Sequence, residues 1–125
     1  MKILSDTHTL VWALSSSSEL SDKARSVLAG GEVVASVASL WELLLKKNRK
    51  GALVSDPATW WDRYVARSSI EILGIRQSHI MMLDRLPNIH KDPFDRILVA
   101  QALVEKATLV TKDGGLAGYK VPIIW

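Results

Sequence analysis

The chain has 125 residues, of which 48% are hydrophobic and 23% charged, a balance that predicts one globular domain over residues 1–125 rather than a disordered chain. The absence of cysteine excludes a disulfide framework and a thiolate metal site. No apolar stretch approaches the roughly 18 residues that span a bilayer, so a cytoplasmic protein is expected. The net charge of +3 permits a polyanionic partner without requiring one.

The first half of the chain alternates short apolar runs with longer periodic segments. Apolar and β-branched runs predict strands over residues 3–6 and 33–36. Capping residues and apolar spacing predict helices over residues 7–15, 21–28 and 39–50. This alternation is typical of an α/β domain with a mostly parallel sheet.

The second half continues the same pattern. Helices are predicted over residues 56–67, 76–86 and 94–106. The first opens on the pair Asp56-Pro57 and the last follows Asp92-Pro93, and such pairs suit a helix start. Further strands are predicted over residues 70–73, 109–111 and 121–125. The expected fold is therefore α/β, with a central, mostly parallel sheet of about five strands flanked by helices.

Four acidic residues stand at the ends of predicted elements: Asp6, Glu42, Asp95 and Asp113. Asp6 ends the first strand, and Asp113 follows the run 109–111 by two residues. Both should therefore emerge at the carboxyl edge of the sheet, where open α/β folds place their sites. Glu42 and Asp95 lie early in helices that point to that edge if the crossovers are right-handed.

Crowded carboxylates repel one another unless a cation lies between them, so convergence of these acids predicts a bound divalent ion. Oxygen ligands favour Mg²⁺ or Mn²⁺. Such an ion can bind a phosphodiester oxygen and lower the pKa of a bound water, which is the chemistry that hydrolysis of nucleic acid requires.

Each acid also has a purely structural interpretation. Carboxylates such as Asp92 and Asp95 are favoured in a first helical turn by the helix dipole. Glu42 could form an ordinary pair with Lys46, four residues on. Asp113 could belong only to a turn. Asp6 is the acid that such interpretations explain least.

Taken together, four stretches resemble the PIN-domain family, and within it the VapC-type toxins of type II toxin–antitoxin systems. They are LSDTHTLVW at 4–12, VASLWE at 37–42, DPFDRILVAQA at 92–102 and LVTKD at 109–113. The resemblance runs almost end to end. Ser5 and Thr9 depart from it, because apolar residues are more usual at both positions.

The resemblance implies a three-layer PIN-like fold with a catalytic, metal-binding quartet formed by Asp6, Glu42, Asp95 and Asp113. It also implies cleavage of RNA, a homodimer, and inhibition by a VapB-like antitoxin. Two alternatives stay open: a PIN-type RNA-processing nuclease outside a toxin pair, and a non-catalytic module of the same fold that binds RNA or protein.

Several residues have roles that the sequence does not settle. Asp92 is interpreted as a helix cap, with a position near the metal as the alternative. Arg96 could contact RNA or pair with an acid, and Thr111 could orient Asp113 through its hydroxyl. The basic run at residues 46–50 could position phosphates or simply end a helix. Of Trp60 and Trp61, one is expected to pack inward.

Overall fold

The computed structural model describes residues 1–125 and contains one five-stranded sheet. Its strands are β1 (Lys2–Ser5), β2 (Glu32–Ser36), β3 (Glu71–Leu73), β4 (Thr108–Val110) and β5 (Ile123–Ile124). They lie in the order β3-β2-β1-β4-β5, and every neighbouring pair is parallel. The expected α/β fold is confirmed, with a sheet that is parallel throughout rather than mostly so.

Six α-helices and two short helical turns connect the strands. They are α1 (Thr7–Leu14), α2 (Asp22–Gly30), α3 (Val37–Lys46), α4 (Pro57–Trp61), a π-helical turn (Asp62–Ala66), α5 (Gln77–Leu83), α6 (Pro93–Glu105) and a 3₁₀ turn (Gly114–Leu116). None of the helices combines the length and the apolar character that crossing a bilayer requires.

Some predicted boundaries were wrong. Helix α3 begins at Val37 because the Ser36 hydroxyl accepts from the backbone N–H of Ala38, and it ends at Lys46 rather than at residue 50. The helix predicted over residues 56–67 changes to π-helical geometry after Trp61. Helix α5 is shorter than predicted, and β5 is the shortest strand.

Alternate residues of the strands face two apolar layers, as the two-residue period of a strand requires. On one face, Leu4 and Leu109 pack with α6. On the other, Ile3 packs with α2, and Leu10 of α1 packs with Trp61 of α4. Trp61 is therefore the inward-facing member of the tryptophan pair. Because α6 is buried along most of its length, the position of its first turn relative to the sheet edge is fixed.

Candidate metal centre and active site

The predicted acids meet at the carboxyl edge of the sheet. β1 ends one residue before Asp6, and β4 ends three residues before Asp113. Between these strand ends and the first turns of the helices lies a cavity of about 300 Å³ without a hydrophobic lining residue. It is lined by Asp6, His8, Glu42, Lys46, Asp92, Asp95, Lys112 and Asp113. The structure therefore brings all four acids together.

Asp6 is buried and fixed from two sides. One carboxylate oxygen caps α1 by accepting from the backbone N–H of Thr9 at 2.8 Å, and the other accepts from the hydroxyl of Thr111. The Thr111 hydroxyl in turn accepts from the backbone N–H of Asp113 at 3.0 Å. Thr111 thus orients the Asp113 backbone, as the sequence suggested, and links it to Asp6.

Glu42 is 5% exposed, which is rare for a glutamate without partners. Its Oε1 accepts from the Thr7 hydroxyl at 2.6 Å, and its Oε2 pairs with Lys46 Nζ at 2.6 Å. The alternative of an i,i+4 pair with Lys46 is therefore confirmed, but the pair belongs to the acidic cavity and is not an ordinary surface pair.

Asp95 carries the clearest electrostatic sign of a special site. Its pKa is raised from 3.8 to about 7. Burial is the largest cause, the negative charge of Asp92 comes next, and Glu42 and Asp6 add to the rise, whereas His90 opposes it. A carboxylate in the first turn of a helix would ordinarily be stabilised by the helix dipole. The cavity therefore disfavours negative charge strongly enough to reverse that preference.

His90 also belongs to the site, and sequence reasoning missed it. Its Nε2 lies 3.0 Å from Asp113 Oδ2 and 3.7 Å from Asp95 Oδ2. Ligand-type atoms of His90, Asp95 and Asp113 all lie within 4.8 Å of one another. The available signal was its position two residues before the Asp92-Pro93 helix start.

The structure shows the hydrogen-bond partners of Asp92 and Arg96, whose roles the sequence did not settle. Asp92 caps α6, since its Oδ1 accepts from the backbone N–H groups of Phe94 and Asp95. Arg96 neither faces the cavity nor pairs with an acid; its guanidinium donates to Tyr119 Oη and to the carbonyl oxygens of Pro87 and Leu83.

The basic run divides at the end of α3. Lys46 is still helical and lies in the acidic cavity, whereas residues 47–50 follow the helix and are exposed. Arg49 and Lys50 line an adjoining cavity of about 170 Å³ together with Glu42. Positive charge is therefore available beside the acids, where a polyanion could contact it.

A larger cavity, of about 610 Å³, lies beside α1 and α2 and is mostly apolar. It contains none of the four acids, so chemistry rather than size identifies the site. The acidic cavity offers carboxylate oxygens, which are the ligands that a hard divalent cation prefers. The pKa of Asp95 is raised by burial and by the negative charges of Asp92, Glu42 and Asp6, so this carboxyl would gain from a cation beside it. The residues therefore fit a divalent metal ion.

Comparison with known proteins gives one family and a consistent set of structures. The model of the PIN domain family matches residues 3–121. The structure is similar to VapBC2 from Rickettsia felis bound to a promoter DNA fragment, with a TM-score of 0.73 and 17% identity over 100% of this chain and 99% of the other. No curated protein sequence matches the chain.

Two further solved structures are similar in the same way. FitAcB from Neisseria gonorrhoeae has a TM-score of 0.72 and 15% identity, over 98% of this chain and 96% of the other. VapBC-5 from Mycobacterium tuberculosis, a member of the VapBC family of toxin–antitoxin systems, has a TM-score of 0.64 and 15% identity, over 98% and 97%. At these identities the likeness shows the fold.

Proposed function

The chain belongs to the PIN domain family, and from this membership and the acidic cavity we propose that it is a metal-dependent endoribonuclease, the toxin of a VapBC-type toxin–antitoxin pair. The observation that supports the enzymatic part most strongly is the meeting of Asp6, Glu42, Asp95 and Asp113 in one cavity without a hydrophobic lining residue. The pKa of Asp95, which burial and neighbouring acids raise to about 7, agrees with it. A cation placed among these acids would relieve the repulsion between their negative charges.

In this proposal Asp6, Glu42, Asp95 and Asp113 hold Mg²⁺ or Mn²⁺. When bound, such an ion supplies positive charge to a phosphodiester and lowers the pKa of water. The protein's own part is positioning. Thr111 and the backbone of Thr9 fix the Asp6 carboxylate, and Thr7 fixes one oxygen of Glu42.

Binding of RNA would use the cations at the rim of the cavity. Lys112 is exposed, and Lys46 is half-buried against Glu42. Phosphate contacts of this kind attract and orient a nucleic acid without reading its sequence. They place the substrate backbone beside the four acids, which is the geometry that hydrolysis needs.

The toxin part of the proposal is supported by the names of the structural relatives, which include a toxin–antitoxin complex from Klebsiella pneumoniae. An antitoxin could inhibit by inserting an arginine into the acidic cavity, because a guanidinium pairs well with carboxylates and would compete with the metal. A homodimer is also proposed. The exposed apolar side chains of Trp41 and Leu45 on α3 are available for such an interface.

The test is cleavage of a pool of cellular RNA by the purified protein with Mg²⁺, with Mn²⁺ and with chelator. Asp6→Ala is the inactivating variant. Asp56→Ala is its matched control, because Asp56 also caps a helix but lies outside the cavity. The proposal predicts metal-dependent cleavage that is abolished in Asp6→Ala and retained in Asp56→Ala.

Other outcomes would favour the alternatives. If wild-type protein bound RNA but did not cleave it with either metal, a non-catalytic binding module would be favoured. If it cleaved RNA but no neighbouring reading frame encoded an inhibitory protein, an RNA-processing nuclease outside a toxin pair would be favoured.

A further inference from the structure

We propose that His90 is a positioning residue that holds the Asp113 carboxylate for the metal by donating a hydrogen bond from Nε2, and that it does not itself ligate the ion. This inference deepens the proposed metal-dependent function and rests on it. Three sets of contacts support it: those of the two ring nitrogens, those of Asp113, and those that fix the His90 backbone.

The ring nitrogens of His90 have different partners. Nδ1 accepts from the backbone N–H of Asp92 at 3.1 Å, so this nitrogen carries a lone pair and no proton. The ring proton is therefore on Nε2, which lies 3.0 Å from Asp113 Oδ2. A protonated Nε2 has no lone pair for a metal, and the donor role follows from the backbone bond at the other nitrogen.

Both carboxylate oxygens of Asp113 accept hydrogen bonds that fix their orientation. Oδ2 accepts from His90, and Oδ1 accepts from the backbone N–H of Gly115 at 2.8 Å. An ionised carboxylate offers about four lone-pair positions, so two bonds leave room for a cation. Because the Asp113 side chain is 40% exposed, it would lose its fixed orientation without these bonds.

The His90 backbone is anchored to the helix that carries Asp95. The N–H of His90 donates to Tyr119 Oη at 3.0 Å, and Arg96 of α6 donates to the same oxygen at 3.0 Å. Tyr119 is only 3% exposed. His90 thus connects the first turn of α6, which carries Asp95, to the segment after β4, which carries Asp113.

His79 shows the same arrangement at a place with no proposed metal. Its Nδ1 accepts from the backbone N–H of Arg76 at 3.0 Å, and its Nε2 lies 2.9 Å from Glu105. A histidine that orients a carboxylate is therefore used twice in this chain. His79 provides an internal reference for the spectrum of His90.

The experiment combines imidazole NMR with calorimetry on the full chain. Long-range ¹H–¹⁵N correlations distinguish protonated from unprotonated ring nitrogens, and Mg²⁺ is diamagnetic. We expect His90 to carry its proton on Nε2 both without and with Mg²⁺, while the His79 signals do not move. Substitution His90→Gln assigns the signals, because the imidazole signals of His90 disappear from its spectrum. The amide nitrogen of the glutamine can still replace the Nε2 donor.

Calorimetry then measures Mg²⁺ affinity. We expect His90→Ala to weaken binding by about tenfold or more and His90→Gln to stay within about threefold of wild type, as for a residue that orients a ligand. Thermal unfolding of both variants checks that they are folded. Loss of the Nε2 proton on Mg²⁺ binding would overturn the proposal in favour of ligation, and unchanged affinity in His90→Ala would overturn it in favour of no role.

The failure of the proposed function would look different. If wild-type protein bound neither Mg²⁺ nor Mn²⁺, the metal-dependent nuclease would be contradicted. The spectrum of the metal-free protein would still decide whether His90 donates to Asp113, since Asp113→Ala must then shift the Nε2–H signal and leave that of His79 in place.

Discussion

The two ends of helix α6 carry acids in opposite electrostatic situations. Asp95 lies in the first turn, where burial and other acids raise its pKa to about 7. Glu105 is the last residue of the helix, and its pKa is lowered, chiefly by the hydrogen bond from His79 and further by Arg76 and Lys2. The helix dipole alone would produce the reverse order.

The difference separates a structural acid from a functional one. Glu105 is compensated by cationic and donor groups of the same chain, with Nζ of Lys2 at 3.5 Å and Nε2 of His79 at 2.9 Å. Asp95 shares its cavity with four other acids and only two lysines. A site whose charge is left uncompensated by the fold is one that an external cation can complete.

The largest expected effect is on catalysis. Asp95→Asn should lower the rate of RNA cleavage by about a thousandfold or more, because it removes charge from a metal ligand and metals supply several kcal/mol of charge stabilisation. Glu105→Gln, which changes the same helix at its other end, should stay within about threefold. Initial rates on one labelled RNA check both. Equal losses of cleavage rate in the two variants would contradict the assignment of Asp95 as the functional acid and Glu105 as the structural one.

The second effect is on stability and has the opposite sign. The pKa of Asp95 is 3.8 in an unfolded chain and about 7 in the fold, so the metal-free protein loses stability as the pH rises from about 4 to about 7. This cost is complete above about pH 7 and absent below about pH 4. Asp95→Asn should therefore stabilise the metal-free protein at pH 8 by up to about 4 kcal/mol. Denaturant unfolding at pH 8 and pH 4 measures the gain, which should shrink at the lower pH.

Glu105→Gln should destabilise the protein at neutral pH by about 1–3 kcal/mol, because buried His79 then loses a charged partner. The lowered pKa of Glu105 means that its contribution is present above about pH 4.5 and lost as the pH falls through the folded-state value. Glu71→Gln is the control, since Glu71 is 60% exposed and pairs with Lys2 only at 3.9 Å. A loss in Glu71→Gln as large as that in Glu105→Gln would contradict this view.

The smallest effect concerns Lys46, one of the two lysines that the chain supplies to the acidic cavity. Lys46→Met should weaken RNA binding by about fivefold and lower the slope of affinity against salt by about one. It should also strengthen Mg²⁺ binding, because Glu42 loses a competing partner. Lys23→Met on α2 is an exposed control. Unchanged RNA binding in Lys46→Met would show that Lys46 pairs with Glu42 and does not contact RNA.

Sequence periodicity and strand ends were enough to predict the sheet and the meeting of four acids, because parallel strands expose their carboxyl ends at one edge. His90 escaped prediction, since it lies in an irregular segment and acts through contacts with residues that follow it by 2 and 23 positions. The contact of Arg96 with Tyr119 escaped prediction as well, because Tyr119 is distant in sequence.

The two residues that depart from the family pattern, Ser5 and Thr9, also stand out in the structure. Ser5 and Thr9 carry the two buried hydroxyl groups that have no hydrogen-bond partner. Ser5 directly precedes Asp6 and Thr9 follows it by three residues, and an apolar residue at either position would avoid the cost of burying a polar atom. The sequence marked these positions as unusual, and only the packing shows why.

The most direct test of the contrast along α6 is calorimetric titration of Mg²⁺ into wild-type protein, Asp95→Asn and Glu105→Gln under identical conditions. We predict binding by the wild-type protein, a loss of affinity of about tenfold or more in Asp95→Asn, and an unchanged dissociation constant in Glu105→Gln. Equal affinity in wild type and Asp95→Asn, or no binding by the wild type, would contradict the claim that the acidic edge is built to be completed by a cation.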